Sequence, residues 1–446
     1  DHGVKLDLDH IDFNDKRVME SIGTGKDDGV FQLESGGMKS FMKELKPESL
    51  EDIIAGISLY RPGPMDFIPK YLKGKNDPAA ITYTCPQLEH ILNPTYGCIV
   101  YQEQVMQIVR DLAGYTLGRS DLVRRAMSKK KADVMARERK NFVYGNEEEG
   151  VKGCAANGID EKTANQIFDD MTDFAKYAFN KSHAAAYAVV AYQTAYLKYY
   201  YPREFMAALM TSIMDNVTKV SEYILACRNM GIGILPPDIN EGVSGFSVSG
   251  NSIRYGLSAI KSVGRAVVDV IISEREAGGP FSTLEDFVSR MSNREVNKRT
   301  LESFIKSGAL DSLPGTRKQK LYVSSELLEN KAREKKTVME GQMSFFDIAP
   351  EEDKGNFQVS FPDVGEFDKE TLLAFEKETL GIYVSGHPME AYQELWQKNV
   401  TARTSDFIVD EDGRTVVEDN SIVVVGGMIT AKKVKTTRTS QLMAFV

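Results

Sequence analysis

Three groups of cationic side chains stand on frames that could hold them against phosphate. In "FNKSHAAAYAVVAYQTAYLKYYYP" (179–202), Lys181 and His183 sit at the mouth of an apolar run with no further charge until Lys198. Ser182 is a good N-cap for a helix beginning near His183. The first N–H groups of such a helix lack internal partners and carry partial positive charge, so Lys181, Ser182 and His183 together suit an anion. The competing reading is a capped core helix with its lysine reaching to water. In "SLYRPGPM" (58–65), Pro62 and Pro64 restrict φ and Gly63 permits a tight turn, which stiffens the frame of Arg61. Its guanidinium suits bidentate phosphate contact, or a structural pair with a carboxylate. In "GRSDLVRRAMSKKK", one predicted helix carries Arg119, Arg124 and Arg125, with Lys129, Lys130 and Lys131 at its end. A basic run is ordinarily a solvated face; beside two other candidate phosphate sites it predicts a phosphate-lined groove.

Four further stretches bear on function. "IVYQEQVM" (99–106) bunches Tyr101, Gln102, Glu103 and Gln104 between apolar residues, as a helix cap or a nucleotide contact. "LSAIKSVGRAVVDVII" (257–272) predicts a helix–hairpin–helix around Lys261, Ser262, Val263 and Gly264, the geometry that points backbone N–H groups at a DNA phosphate. "LESFIKSGALDSL" (301–313) is a weaker second copy around Lys306 and Gly308. "GQMSFFD" (341–347) sets Gln342, Met343, Phe345 and Phe346 in a polar linker, as an apolar anchor for a partner or as local packing. Asp7 and Asp9 in "LDLD" have D-x-D spacing, but their polar, loop-like surroundings predict a solvated turn, not a metal site.

The elements that must position these residues follow from pattern. The 446 residues, 42% apolar and 27% charged, predict a multidomain, mainly α globular protein. Net charge is −9, so the chain is not coated for nucleic acid. Residues 119–140 nevertheless hold nine Lys/Arg against three Asp/Glu, a local basic footprint. The four cysteines lie far apart and predict buried or free thiols in a reducing cytoplasm. No apolar stretch is long enough to span a membrane. Helical spacing marks 1–235, a hairpin at Gly250–Asn251 opens a smaller unit over 236–314, and a polar helix covers 316–340. The region 366–395 predicts helices interrupted at "SGHP", and the Val- and Thr-rich run from 419 predicts the first strands of a β-domain.

Taken together, "DDGVFQLESGGMKSFM" (27–42), "SLYRPGPM", "IVYQEQVMQIVRDLAGYTLGRSDLVRRAMSKKK" (99–131) and "AFNKSHAAAYAVVAYQTAYLKYYYP" (178–202) resemble the bacterial replicative C-family DNA polymerases, in their alpha subunit, in order and over essentially the whole chain. The resemblance implies the end of the palm at 1–24, fingers at 25–235, a tandem helix–hairpin–helix domain at 236–314, a helix and linker with a clamp-binding peptide at 315–350, a connecting helical region at 351–418 and the start of an OB-fold at 419–446. It implies template-directed DNA synthesis, with Arg61, Arg124, Arg125 and Lys181–His183 facing the dNTP triphosphate. Lys129–Lys131, Lys261, Val263, Gly264, Lys306 and Gly308 would then face DNA, and Gln342, Met343, Phe345 and Phe346 a sliding clamp. Partners would be primer–template DNA, the clamp and other replicase subunits in a bacterial cytoplasm. The Mg²⁺ ligands of the family, its palm aspartates, are expected upstream of Asp1, so this stretch alone is expected to be inactive. The alternative is a non-catalytic DNA-binding scaffold recruited by the clamp. A P-loop enzyme is disfavoured, because no GxxxxGK[ST] occurs.

Overall fold

A computed structural model describes the chain except for residues 1–2, 130–131, 176, 178, 292–295, 340–359, 408–414, 430 and 438–439. Two compact units divide it, Asp1–Met206 and Ala207–Val446.

The first unit is helical: α1 Lys16–Gly23, α2 Gly36–Leu45, α3 Leu50–Leu59, α4 Ile68–Asn76, the short α5 Glu89–Leu92, α6 Gln102–Ala113, α7 Leu117–Ser128, α8 Ala132–Tyr144, α9 Glu161–Ala175 and α10 Lys181–Tyr200. Helix starts follow local chemistry, with Asp15, Ser35, Ser49 and Thr116 each accepting a backbone N–H of its own helix. Two cores form. One packs α1, α2 and α3 against α10; the other packs α5 to α9 around Ile108, Phe142 and Phe168. The alanine-rich sequence of α10 is a packing device. Ala184, Ala188, Ala191 and Ala195 form one buried stripe, and small side chains let it lie close to α3, whose Ile53 to Leu59 are all buried.

The second unit begins within α11 Pro202–Ser212 and continues with α12 Val217–Asn229. Strands β1 Gly233–Leu235, β2 Ser247–Ser249 and β3 Ser252–Arg254 form one sheet, with β3 central, parallel to β1 and antiparallel to β2. The expected hairpin at Gly250–Asn251 is the β2–β3 turn. Helices α13 Arg265–Gly278, α14 Leu284–Arg290, α15 Lys298–Ser307, α16 Arg317–Met339, α17 Lys369–Leu380 and α18 Gln393–Asn399 follow. Strands β4 Lys433–Thr436 and β5 Leu442–Phe445 pair antiparallel.

Polar α16 docks through buried cations. Lys320 Nζ donates to the carbonyls of Leu310 and Leu313, both at 2.8 Å, and burial holds its pKa below the usual lysine range. Lys331 Nζ donates to the carbonyls of Val288, Ser289 and Met291, at the C-terminal end of α14. Carbonyls at a helix end lack internal partners, so an ammonium satisfies them and meets the negative pole of the dipole.

One expectation is corrected here. The strands expected from 419 begin only at Lys433, because the carbonyl of Val424 accepts from Thr401 N–H and that of Gly426 from the Trp396 indole, leaving no ladder over 421–429. All four cysteines are buried and free. No helix among the described residues is long and apolar enough to cross a membrane.

Asp27 is 2% exposed, and its Oδ2 has no hydrogen-bond partner. Burial pushes its pKa up to about 7, against the pull of Lys198 and Lys39. The folded chain therefore keeps a proton that the unfolded chain releases near pH 4, and stability falls as pH rises from about 4 to 7. Asp27→Asn should raise the melting temperature at pH 8 by several degrees and lose most of that gain by pH 5. Equal gains at both values, in a thermal melt, would refute the assignment.

Candidate functional site

Residues from 58–65, 99–106, 119–131 and 179–202, remote in sequence, converge in the first unit, on the seam between its two cores. Tyr101, just before α6, and Phe179, just before α10, form a parallel β-bridge, in which Gln102 N–H donates to the Phe179 carbonyl at 2.9 Å. Around this bridge the charged groups assemble. The Arg61 guanidinium lies 4.5 Å from the Phe179 ring centroid, exposed, with no carboxylate partner among the described residues. Stacking on an aromatic face holds a guanidinium while leaving its donors in water. Lys181 Nζ lies 5.2 Å from the Tyr101 centroid and pairs with Glu51 at 2.9 Å. Arg124 donates to Gln102 Oε1 at 2.9 Å and to Asp121 at 2.6 Å, and its hydrogen bond holds the Asp121 carboxyl below the usual range. Burial, then the carboxylates of Glu51, Asp52 and Glu103, hold the Tyr101 phenol far above its ordinary pKa, so it stays neutral.

Glu103 closes the arrangement, and it changes the reading of the helix mouth. The N-cap of α10 is Asn180, whose Oδ1 accepts from His183 N–H at 2.9 Å; Ser182, expected as the cap, is exposed in the first turn. The Lys181 N–H donates to both Glu103 oxygens, at 3.2 and 3.1 Å, and Asn180 Nδ2 donates to the same carboxylate. A carboxylate of the chain itself thus occupies the end of the dipole, and α10 starts earlier than expected because Glu103 and Asn180 satisfy its first N–H groups. What remains presented to solvent are side chains: Arg61, Ser182 and His183, whose ring lies 4.2 Å from that of Tyr187.

The basic helix divides its cations. Arg119 lines the cleft between α7 and α8 but is held there by Glu138, at 3.0 Å, and by Glu149, so it serves the fold. Arg124 joins the Tyr101–Phe179 seam, whereas Arg125 pairs with Asp121 at 2.7 Å and faces the cleft between α7 and α8. Lys129 caps the end of α7 and is exposed; Lys130 and Lys131 lie outside the described residues.

In the second unit the hairpins differ from the expected pattern. Residues 257–259 make only one 3₁₀ turn, because the N–H groups of Leu257 and Ser258 go to the carbonyls of Val243 and Ser244. Ser262 adopts φ 69°, Val263 is buried, and Gly264 is the N-cap of α13 with open space where a Cβ would be. This loop, with exposed Lys261, remains open to a phosphate. The second copy does not: Gly308, at φ 83°, is covered by Arg317, and Lys306 pairs with Glu378 at 3.0 Å. Gln342, Met343, Phe345 and Phe346 lie outside the described residues.

Asp7 spends its carboxylate on Asp9 N–H and on His10 in an exposed turn. Among the described residues no group of three or more His, Cys, Asp or Glu is placed to hold a metal ion.

Residues 1–150 match the bacterial DNA polymerase III alpha subunit finger domain, and residues 231–320 match a helix-hairpin-helix motif. The DNA polymerase III subunit alpha of Thermus aquaticus is 43% identical over 99% of this chain. The chain matches DNA polymerase III alpha subunits. Those of Borreliella burgdorferi and Bacillus subtilis are 41% and 40% identical, over 98% and 100% of the chain. The chain spans 35% of the Thermus alpha subunit and 37% and 38% of the other two, about a third of their length. Phe179, which organises the seam, escapes sequence reasoning; Glu103 is singled out within the polar cluster at 101–104, but not its partner at the start of α10.

Gly63 sits at φ 104°, where a Cβ would overlap the Tyr177 ring. Gly63→Ala should cost roughly 1–3 kcal/mol and displace the Arg61 loop. Hydrogen exchange at 60–66 checks this: unchanged protection there would show that the glycine is dispensable.

Proposed function

We propose that the chain is the fingers-to-OB portion of a DNA-directed DNA polymerase acting in chromosomal replication. The observation that carries this reading is the meeting of Arg61, Arg124 and Lys181 around one aromatic seam, in a chain at least 40% identical to alpha subunits over nearly all its length. In the polymerisation reaction a primer 3′-hydroxyl attacks the α-phosphate of a dNTP, and pyrophosphate leaves. The share of this chain is electrostatic and positional. Arg61 and Lys181 hold the triphosphate against developing charge, with Arg124 behind them and Ser182 and His183 at the exposed mouth. Arg125 and Lys129–Lys131 face nucleic acid. The loop at Lys261–Gly264 grips duplex backbone without reading sequence.

Arg61→Ala or Lys181→Ala, in a polymerase carrying this chain, should raise KM for dNTP or lower kcat about 10- to 100-fold, the worth of a charge-assisted hydrogen bond. The melting temperature should hold, because both side chains reach solvent. A large fall in melting temperature with unchanged kinetics counts against this assignment.

We further propose that "GQMSFFD" docks in an apolar pocket of a sliding clamp, with Phe345 and Phe346 as anchors and Gln342 and Met343 beside them. Burying each phenylalanine contributes roughly 1.5–3 kcal/mol. Phe345→Ala with Phe346→Ala should therefore weaken clamp binding by about two orders of magnitude, abolish clamp-stimulated long synthesis and spare single-nucleotide addition. Surviving clamp stimulation would assign the segment to local packing.

A further inference from the structure

We infer that the cleft between α7 and α8 seats one unstacked nucleotide of a single nucleic-acid strand. The inference rests on the polymerase reading above and goes beyond it, by naming a strand form and a second contact surface in the first unit. The cleft encloses about 320 Å³, at the lower end for a small-ligand site. Its α7 wall presents Leu122, Arg125 and Lys129, spaced three and four residues apart on one helical face; its α8 wall presents Val134 and Arg137.

Two features do not fit a plain solvated face. Leu122 is 65% exposed, although it stands among cations on a helix that has a core of its own to bury leucines in. Among the described residues the rim arginines are held by local carboxylates: Arg125 by Asp121 at 2.7 Å and Arg137 by Glu138 at 3.3 Å, with the two side chains 61% and 62% exposed. Such pairs are worth little in water, so a phosphate can draw either guanidinium away at small cost. Glu138 keeps Arg119 as a partner at 3.0 Å when Arg137 swings out.

The occupant must be anionic along the rim and apolar at its centre. Single-stranded nucleic acid has that pattern, because an unstacked base has a bare face and its backbone runs beside it. A duplex keeps its bases stacked inside and meets the rim alone. The cleft therefore discriminates strand form by Leu122 and adds affinity through Arg125, Lys129 and Arg137.

The test is fluorescence anisotropy with the full chain and two probes, a short oligo-dT strand and a blunt duplex of mixed sequence. Leu122→Ser should weaken oligo-dT binding about fivefold and leave duplex binding unchanged; Leu122→Met should retain both. Arg137→Gln should lower the salt slope for oligo-dT by about 0.7. Melting curves show that each variant is folded, which the exposure of these side chains favours. If Leu122→Ser changes both probes equally, or neither, the cleft is not a nucleotide seat. If in addition the duplex still binds and Lys261→Ala weakens it, the cleft assignment fails while the DNA-facing role stands. Absence of binding to either probe overturns both.

Discussion

The carboxylate of Glu103 at the first turn of α10 is the contact on which the first unit depends. It accepts the Lys181 backbone N–H, which would otherwise be orphaned, and the side-chain amide of the cap Asn180. In doing so it joins α6, which belongs to one core, to α10, which belongs to the other. The Tyr101–Phe179 bridge lies beside that contact, so both helix starts are tied to one short piece of paired backbone. A guanidinium stacked on Phe179 and an ammonium over Tyr101 thus inherit the rigidity of two cores, although they come from opposite ends of the unit in sequence. Such sharing fixes the frames of both cations, although neither is needed to bury apolar surface.

The second unit solves a related problem with reversed charge. Helix ends at α14 and after α15 expose carbonyls, and α16 answers with Lys320 and Lys331. An ammonium costs free energy to bury unless its donors are taken up. Here two or three carbonyls take them up at each site, which lets a helix of polar sequence dock on an apolar body. The hydrogen bonds also fix the rotation of α16 about its axis, something apolar contacts alone specify less sharply.

Local legibility in this chain was high where one element carries its own signal. Helical spacing, the Gly250–Asn251 turn and the apolar face of α10 needed no distant partner to be recognised. The candidate site was legible as residue types on stiff frames, Arg61 just before Pro62 and Pro64 and Lys181 beside a helix start. It was not legible as geometry. Arg119, Arg124 and Arg125 are close together in sequence, yet Arg119 is held by Glu138 and Glu149, Arg124 reaches Gln102 and Arg125 pairs with Asp121 at the α7–α8 cleft, because the angular step of a helix brings neighbours to different partners.

Sequence by itself determined that the chain is mainly helical, that its cations gather in a few places within an acidic whole, and that its motifs run in the order of DNA polymerase III alpha subunits. Those properties depend on residue identity and short-range spacing. Tertiary structure decided which cations stay available, which glycine hairpin stays open and what fills the mouth of α10. Each of those outcomes turns on a partner well separated in the chain: Glu103 for Lys181, Glu378 for Lys306, Glu149 for Arg119. A carboxylate that arrives from another element can neutralise or occupy a site whose own sequence is unchanged, and only folding brings the two together.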